Sequence, residues 1–213
     1  MINFRYVEAL TFDCYGTLID WETGLRAALR AFCEKHGVEA GDEELLEVYA
    51  QAETHALLRP YRPYKAVLRD VIRAVGAHYG VDGNIEENRI AAALPTWKPF
   101  PDTVASLAAL SRRFRLGIIS NIDDDLFAET ATSLEVPFEW VVTAEQAGAY
   151  KPSLKVFRHA LDVTGVPMQR VVHVAQSRFH DIGPLTQIGW RTVWLNRRHD
   201  RPGAGAPSES SES

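Results

Sequence analysis

The stretch Leu10-Thr-Phe-Asp-Cys-Tyr-Gly-Thr-Leu-Ile-Asp20 decides the reading of this chain. A short apolar run ends in an aspartate, a glycine and a threonine follow at once, and a helical pattern begins soon after. That order describes a buried strand delivering Asp13 to its C-terminal tip. In open α/β sheets the reacting groups sit at those tips. Asp13 is therefore a candidate nucleophile, because a carboxylate can form a covalent ester and split one hard displacement into two easier ones.

Working outward, strands are expected at Ala9–Phe12, Leu116–Ser120, Trp140–Thr143, Val171–Val174 and Thr192–Leu195. Helical spacing separates them: Val104, Leu107, Ala108 and Leu110, then Leu126, Ala131 and Leu134, then Leu154, Phe157 and Leu161. Such alternation implies an α/β fold, a doubly wound parallel sheet with helices on both faces. Between Trp21 and Trp97 only helical stripes occur. Leu25, Leu29, Phe32 and Cys33 make one; Leu45, Leu46, Tyr49 and Ala56 a second; Tyr64, Val67, Leu68, Val71, Ile72 and Val75 a third. Asn84 to Glu87 reads as a capping box that starts a fourth helix, which Pro95 stops. The expected organisation is a core of residues 1–18 and 99–200, a helical cap of residues 19–98 inserted after the first strand, and a disordered tail at 201–213 that is small, polar and poor in large apolar residues. The cap would overhang the strand tips, and Trp97-Lys-Pro-Phe-Pro101 would return the chain to the core as a stiff connector.

With 213 residues the chain has room for such a core and an insert without covalent staples. A net charge of −5 and no basic stripe speak against nucleic acid and anionic membrane as partners. No segment is apolar for long enough to span a membrane. The start, Met1-Ile-Asn-Phe-Arg-Tyr-Val-Glu8, lacks a signal-peptide pattern. Cys14 and Cys33, the only cysteines, have no metal-type spacing and suit a reducing cytosol. The expectation is a cytoplasmic protein acting on a small molecule; a homodimer is compatible with this reading.

Four segments at expected strand ends carry chemistry. The first is Asp13-Cys-Tyr-Gly-Thr-Leu18, in which Gly16 permits a tight bend and Thr17 can bond the nucleophile's surroundings. The second is Ser120-Asn121, a hydroxyl and an amide able to bind an anion without adding charge; Asp123, Asp124 and Asp125 behind it suit a helix N-terminus. The third is Lys151 in Ala149-Tyr-Lys-Pro152, and the fourth is Val174-Ala-Gln-Ser-Arg-Phe-His-Asp-Ile182. In sequence and order the four resemble the motifs of the haloacid dehalogenase (HAD) superfamily of hydrolases, over nearly the whole chain before the tail. The resemblance implies a HAD-like core with an inserted cap. It also implies an aspartate nucleophile at Asp13, a lysine at Lys151 that orients it, and an acid at Asp181 that holds Lys151, binds a metal or activates water. His180, beside Asp181, could titrate near neutrality but is more simply packed or solvated.

Most HAD members carry a second aspartate two residues after the first; here Tyr15 stands there. A phosphate ester expels a basic alkoxide and profits from an acid at that position. A phenol, titrating near ~10, is a poor donor. Phosphate also brings charge that Mg²⁺ offsets through carboxylates, and Gln176 is neutral where metal-dependent members have an acid. A halide leaves without a proton, and a 2-haloacid brings one negative charge. The first motif resembles the L-2-haloacid dehalogenase branch, which implies that Tyr15, Thr17, Ser120, Asn121 and Gln176 contact substrate and that no cofactor is required. That branch has a halide-receiving arginine early in the cap; the stretch near Asp42-Glu-Glu-Leu-Leu46 has none. Arg59 and Arg62 are the candidates to reach the site instead, or else form a basic surface turn. Two readings stay open beside this one: a phosphatase with a weakened Mg²⁺ site on Asp13 and Asp181, and a non-catalytic binding protein on the same fold.

Overall fold

The computed structural model describes residues 2–197, so the tail expected at 201–213 lies outside the described residues. The chain runs β1 (Ala9–Phe12), α1 (Trp21–His36), α2 (Asp42–Leu57), α3 (Tyr64–His78), α4 (Arg89–Ala93), α5 (Thr103–Leu110), β2 (Arg115–Ser120), α6 (Asp124–Ala131), β3 (Trp140–Thr143), α7 (Ala144–Ala147), α8 (Leu154–Thr164), β4 (Val171–Ala175), α9 (Gly183–Gln187) and β5 (Arg191–Trp194). The strands form one parallel sheet in the order β3-β2-β1-β4-β5. β1 thus occupies the centre, and its C-terminal tip opens between those of β2 and β4.

Burial on both faces explains the predominantly apolar central strands. Alternate residues point to opposite faces. Leu10, Phe12, Leu116, Ile118 and Val172 pack on one side with Leu107, Leu126 and Phe127 from α5 and α6. Ala9, Ile119, Val142 and Val171 pack on the other with Val156, Phe157 and Ala160 of α8 and Leu185 of α9. β5 begins one residue earlier than the apolar run suggests, at Arg191. It is the edge strand, and its start is set by pairing of Arg191 with Val172 rather than by burial.

Residues 21–96 form α- and 3-10 helices with their connecting turns. α1 is capped at both ends: the Asp20 carboxylate accepts the Thr23 N–H at 3.3 Å, and Gly37 ends it at φ +66°. The capping box read at Asn84–Glu87 does not form. Asp82 accepts the Asn84 N–H and caps a 3-10 turn at Gly83–Glu86, and α4 starts later, after Asn88, without a side-chain cap. The reason is competition from α3. Arg73 donates to Asn84 Oδ1 at 2.8 Å and to Glu87 Oε2 at 2.5 Å, so neither side chain is free to turn back on the backbone.

The helical segment joins the sheet through adjoining connectors. Asp20 N–H bonds to Lys98 O at 2.8 Å, and Phe100 N–H bonds to Leu18 O at 3.0 Å. A second junction lies after β2. The buried Asp123 carboxylate accepts the N–H groups of Tyr64 at 2.6 Å and Lys65 at 2.9 Å, at the N-terminus of α3, while Lys65 Nζ reaches Asp125 at 2.5 Å. Asp124 and Asp125 sit in the first turn of α6, but the Asp123 side chain serves α3.

Gly24 of α1 lies flat against Trp97, where an added methyl would fall 2.1 Å from Cδ1 of the indole. Gly24→Ala would gain up to ~1 kcal/mol of helix propensity. Overpacking against a buried ring costs ~1–3 kcal/mol. The expected outcome is a net loss of stability, read as a lower urea midpoint with an unchanged slope.

Candidate active site

The site grows from the bend after β1. Gly16 adopts φ +91°, where a side chain would be strained, and the N–H groups of Thr17, Leu18 and Ile19 all return to Cys14 O at 2.7–3.2 Å. This tight loop brings the Thr17 hydroxyl back onto Asp13 Oδ2 at 2.7 Å. Thr17 Oγ1 also accepts the Gln176 N–H at 2.9 Å, tying the first motif to the end of β4. Behind the loop, Arg197 donates to Thr17 O at 2.9 Å and stacks on Phe100.

Lys151 is the hub. Its ammonium, buried from solvent, donates to Asp13 Oδ1 at 2.8 Å, Asp181 Oδ1 at 2.7 Å and Ile119 O at 3.0 Å. All three of its protons are thereby used. Burial opposes its charge, but the two carboxylates outweigh that and raise its pKa. Asp181 is fully buried, and burial favours its neutral form; Lys151 and then His173 overcome this and hold the carboxyl below its ordinary range. Lys151 is placed by Asn121, whose side-chain oxygen accepts the Lys151 N–H at 2.7 Å and whose amide donates to Lys151 O at 3.1 Å. Both polar ends of Asn121 are thus engaged with the lysine's backbone. Among the described residues, the buried Ser120 hydroxyl at the tip of β2 has no hydrogen-bond partner, and neither has the buried Asp181 Oδ2.

Tyr15 turns away from the carboxylates. Thr130 donates its own proton to Leu126 O at 3.1 Å, so the 2.8 Å contact between the Tyr15 and Thr130 hydroxyls is donated by Tyr15. The single phenolic proton is committed there, and burial pushes its pKa up. Gln176 meets the other motifs through its backbone: besides its N–H on Thr17, its carbonyl accepts from Trp194 at 2.9 Å. Burial likewise raises the Cys14 thiol, which leaves it a small core filler. His180 is half-buried against Ser177 Oγ at 3.1 Å, and burial lowers its pKa.

Arg59 and Arg62 do not join this group. Both guanidinium groups pair with Asp70 on α3, at 3.3 Å and 2.8 Å. His173, within β4, carries no motif that would mark it in the sequence. It has no solvent exposure and lies 3.1 Å from Asp181 Oδ1 through Nε2 and 2.9 Å from Thr11 Oγ1 through Nδ1. Its signal was the strand register, which sets Thr11 beside His173.

A divalent metal finds few donors here. Asp13 Oδ1 and Asp181 Oδ1 face the Lys151 ammonium, and Asp13 Oδ2 faces Thr17, which leaves Asp181 Oδ2 as the oxygen of the pair not engaged among the described residues. Gln176 brings no charge. One carboxylate oxygen is a poor set for Mg²⁺, and among the described residues no group of three or more His, Cys, Asp or Glu side chains is placed to hold a metal. Nor, among those residues, is any helix long and apolar enough to cross a membrane.

A family model for haloacid dehalogenase-like hydrolases matches residues 7–185. The chain is 25% identical over 203 residues to (S)-2-haloacid dehalogenase 4A of Burkholderia cepacia, covering 92% of this chain and 86% of that one. It is 32% identical over 130 residues to the pyrimidine 5'-nucleotidase YjjG of Escherichia coli, covering 59% and 58%. The solved L-2-haloacid dehalogenase from Xanthobacter autotrophicus with chloropropionic acid covalently bound superposes with a TM-score of 0.76. That match is at 23% identity and covers 90% of this chain and 78% of the other, a likeness of fold.

Proposed function

The chain belongs to the haloacid dehalogenase-like hydrolases, and from that premise we propose that it hydrolyses the carbon–halogen bond of a small 2-haloacid through an ester on Asp13. The observation that carries this reading is Tyr15. The position from which an acid would protonate a departing alkoxide holds a phenol whose proton is given to Thr130. A leaving group that needs no proton suits such a site, and halide is one. The first step is displacement of halide from carbon by the Asp13 carboxylate, which Lys151 and Thr17 hold by one oxygen each. The unpartnered Ser120 hydroxyl is a donor for the substrate's carboxylate. Water then attacks the aspartyl carbonyl, and Asp181 takes up its proton.

We assign the cap role to residues 19–98. The bonds between Asp123 and the first N–H groups of α3 hold this layer against the loop that follows Ser120 and Asn121. Closure there would exclude water from the displacement step. The same reading needs no cofactor and places the protein in the cytoplasm, where its two free, buried cysteines remain thiols.

The test is an assay of purified protein with chloroacetate, L-2-chloropropionate and p-nitrophenyl phosphate, each with Mg²⁺ or with EDTA. Halide release that EDTA leaves unchanged is the expected result. Phosphate release that vanishes with EDTA and returns with Mg²⁺, without halide release, would overturn it.

A further inference from the structure

We propose that His173 is a positioning residue for the second half of the reaction: it fixes which oxygen of Asp181 is presented to the water that hydrolyses the Asp13 ester. The inference rests on the reading of Asp13 as an esterified nucleophile.

The two oxygens of Asp181 are treated unequally. Oδ1 receives both Lys151 Nζ and His173 Nε2, at 2.7 Å and 3.1 Å, whereas Oδ2 is buried with no donor among the described residues. A buried carboxylate oxygen left without a donor is costly unless something else supplies one. The hydrolytic water is the donor the chemistry requires. Lys151 alone would not fix the choice, because one donor lets a carboxyl rotate about its terminal bond. Two donors converging on Oδ1 from different parts of the chain, Lys151 from the turn before α8 and His173 from β4, do fix it.

The contacts of the imidazole fit one tautomer of the neutral ring. A carboxylate only accepts hydrogen bonds, so in the neutral ring Nε2 carries the proton toward Asp181 and Nδ1 presents its lone pair. Thr11 then donates its hydroxyl into Nδ1 at 2.9 Å. The pairing of Thr11 with His173 across β1 and β4 puts both side chains on one face of the sheet, and Phe157 of α8 meets the ring edge-on at 6.0 Å. The ring has neither the space nor the hydrogen-bonding reason to flip. Strands β1 and β4 therefore transmit a fixed geometry to Asp181.

In the step served by this arrangement, the water oxygen bonds to Cγ of Asp13 while one water proton passes to Asp181 Oδ2. The tetrahedral oxyanion forms beside Lys151. Its collapse breaks the bond from Cγ to the product oxygen, and that oxygen takes the proton from Oδ2 to become the hydroxyl of the 2-hydroxy acid. The second water proton leaves as the regenerated Asp13 carboxyl ionises. Displacement of halide involves no proton and makes no use of Oδ2.

The two steps should consequently separate on mutation. Single turnovers of L-2-chloropropionate with excess enzyme, quenched in acid, give halide release and ester on Asp13 by mass. In His173→Ala, halide release is expected within about twofold of the parent, while ester hydrolysis slows by about 10- to 100-fold, the scale of a misplaced proton acceptor. Ester accumulates, and kcat and KM fall together. His173→Gln, whose amide N–H can still reach Oδ1, should restore part of the hydrolysis rate. Thr11→Val, which keeps the shape of the strand residue, should slow the same step by a smaller factor. A folded His173→Ala protein with unchanged ester hydrolysis, or with both steps slowed alike, overturns the proposal. If that variant does not fold, Thr11→Val decides: hydrolysis at the parent rate overturns it. Absence of ester in the parent protein would instead refute the nucleophile reading beneath it.

Discussion

Asp13→Asn is expected to keep the fold and to lose turnover by a factor on the order of 10⁴ or more, the scale seen when a nucleophile is removed. The amide is nearly isosteric with the carboxylate. Its oxygen can still face Lys151, and its N–H₂ can donate to Thr17 Oγ1, which lies 2.7 Å from the present Oδ2. What disappears is the nucleophile. In the parent protein, a single turnover in ¹⁸O-water with excess enzyme should place the label in the Asp13 carboxylate and leave the product hydroxyl unlabelled. Label in the product of that first turnover, with Asp13 unlabelled, would mean that Asp13 only activates water, and the ester would have to be abandoned.

Lys151→Met should damage both stability and activity. Methionine fills similar space but leaves the carboxylates of Asp13 and Asp181 without the ammonium that now lies 2.8 Å and 2.7 Å from them. Removing one partner of a buried ion pair costs ~3–5 kcal/mol, against a total stability of ~5–15 kcal/mol for an ordinary domain. The loss depends on pH in a fixed direction. Burial pushes the Asp181 carboxyl up, but Lys151 and His173 hold it lower in the folded protein. The resulting stabilisation is present above the unfolded value of ~3.9 and fades as the pH falls toward the folded one. Urea midpoints of parent and variant should therefore lie far apart at pH 7 and draw together on acidification. Equal midpoints at pH 7 would show that the lysine is dispensable to the fold.

Local patterns disclosed much of this molecule because much of it is locally determined. β1 and β3 run as the apolar stretches indicate, and the stripe of α1 is its buried face. The Asp13 bend was legible because glycine, threonine and a preceding strand leave the chain few alternatives. Features that depend on a distant partner were illegible for the same physical reason. Asn84 and Glu87 resemble a capping box until Arg73 claims them. Asp123 resembles the cap of the helix that follows it, and instead receives N–H groups 58 and 59 residues earlier in the chain. Arg59 and Arg62 look free to enter the cleft, and Asp70 holds both. His173 acquires significance only when strand pairing sets it beside Thr11 and within reach of Asp181.

The central place of β1 also sets the order in which the chain can assemble. The strand is made first, yet its neighbours are residues 115–120 and 171–175. A growing chain can complete the contacts of α1 to α4 while β1 still has both edges unpaired. Closing such long loops is slow compared with forming local helices. Through that interval a short, mostly apolar strand is open to wrong pairing with other chains. A product ending before β4 would have one edge of β1 unpaired and Asp13 without Asp181, so the proposed nucleophile would gain its full set of partners only after β4 and the turn beyond it are made.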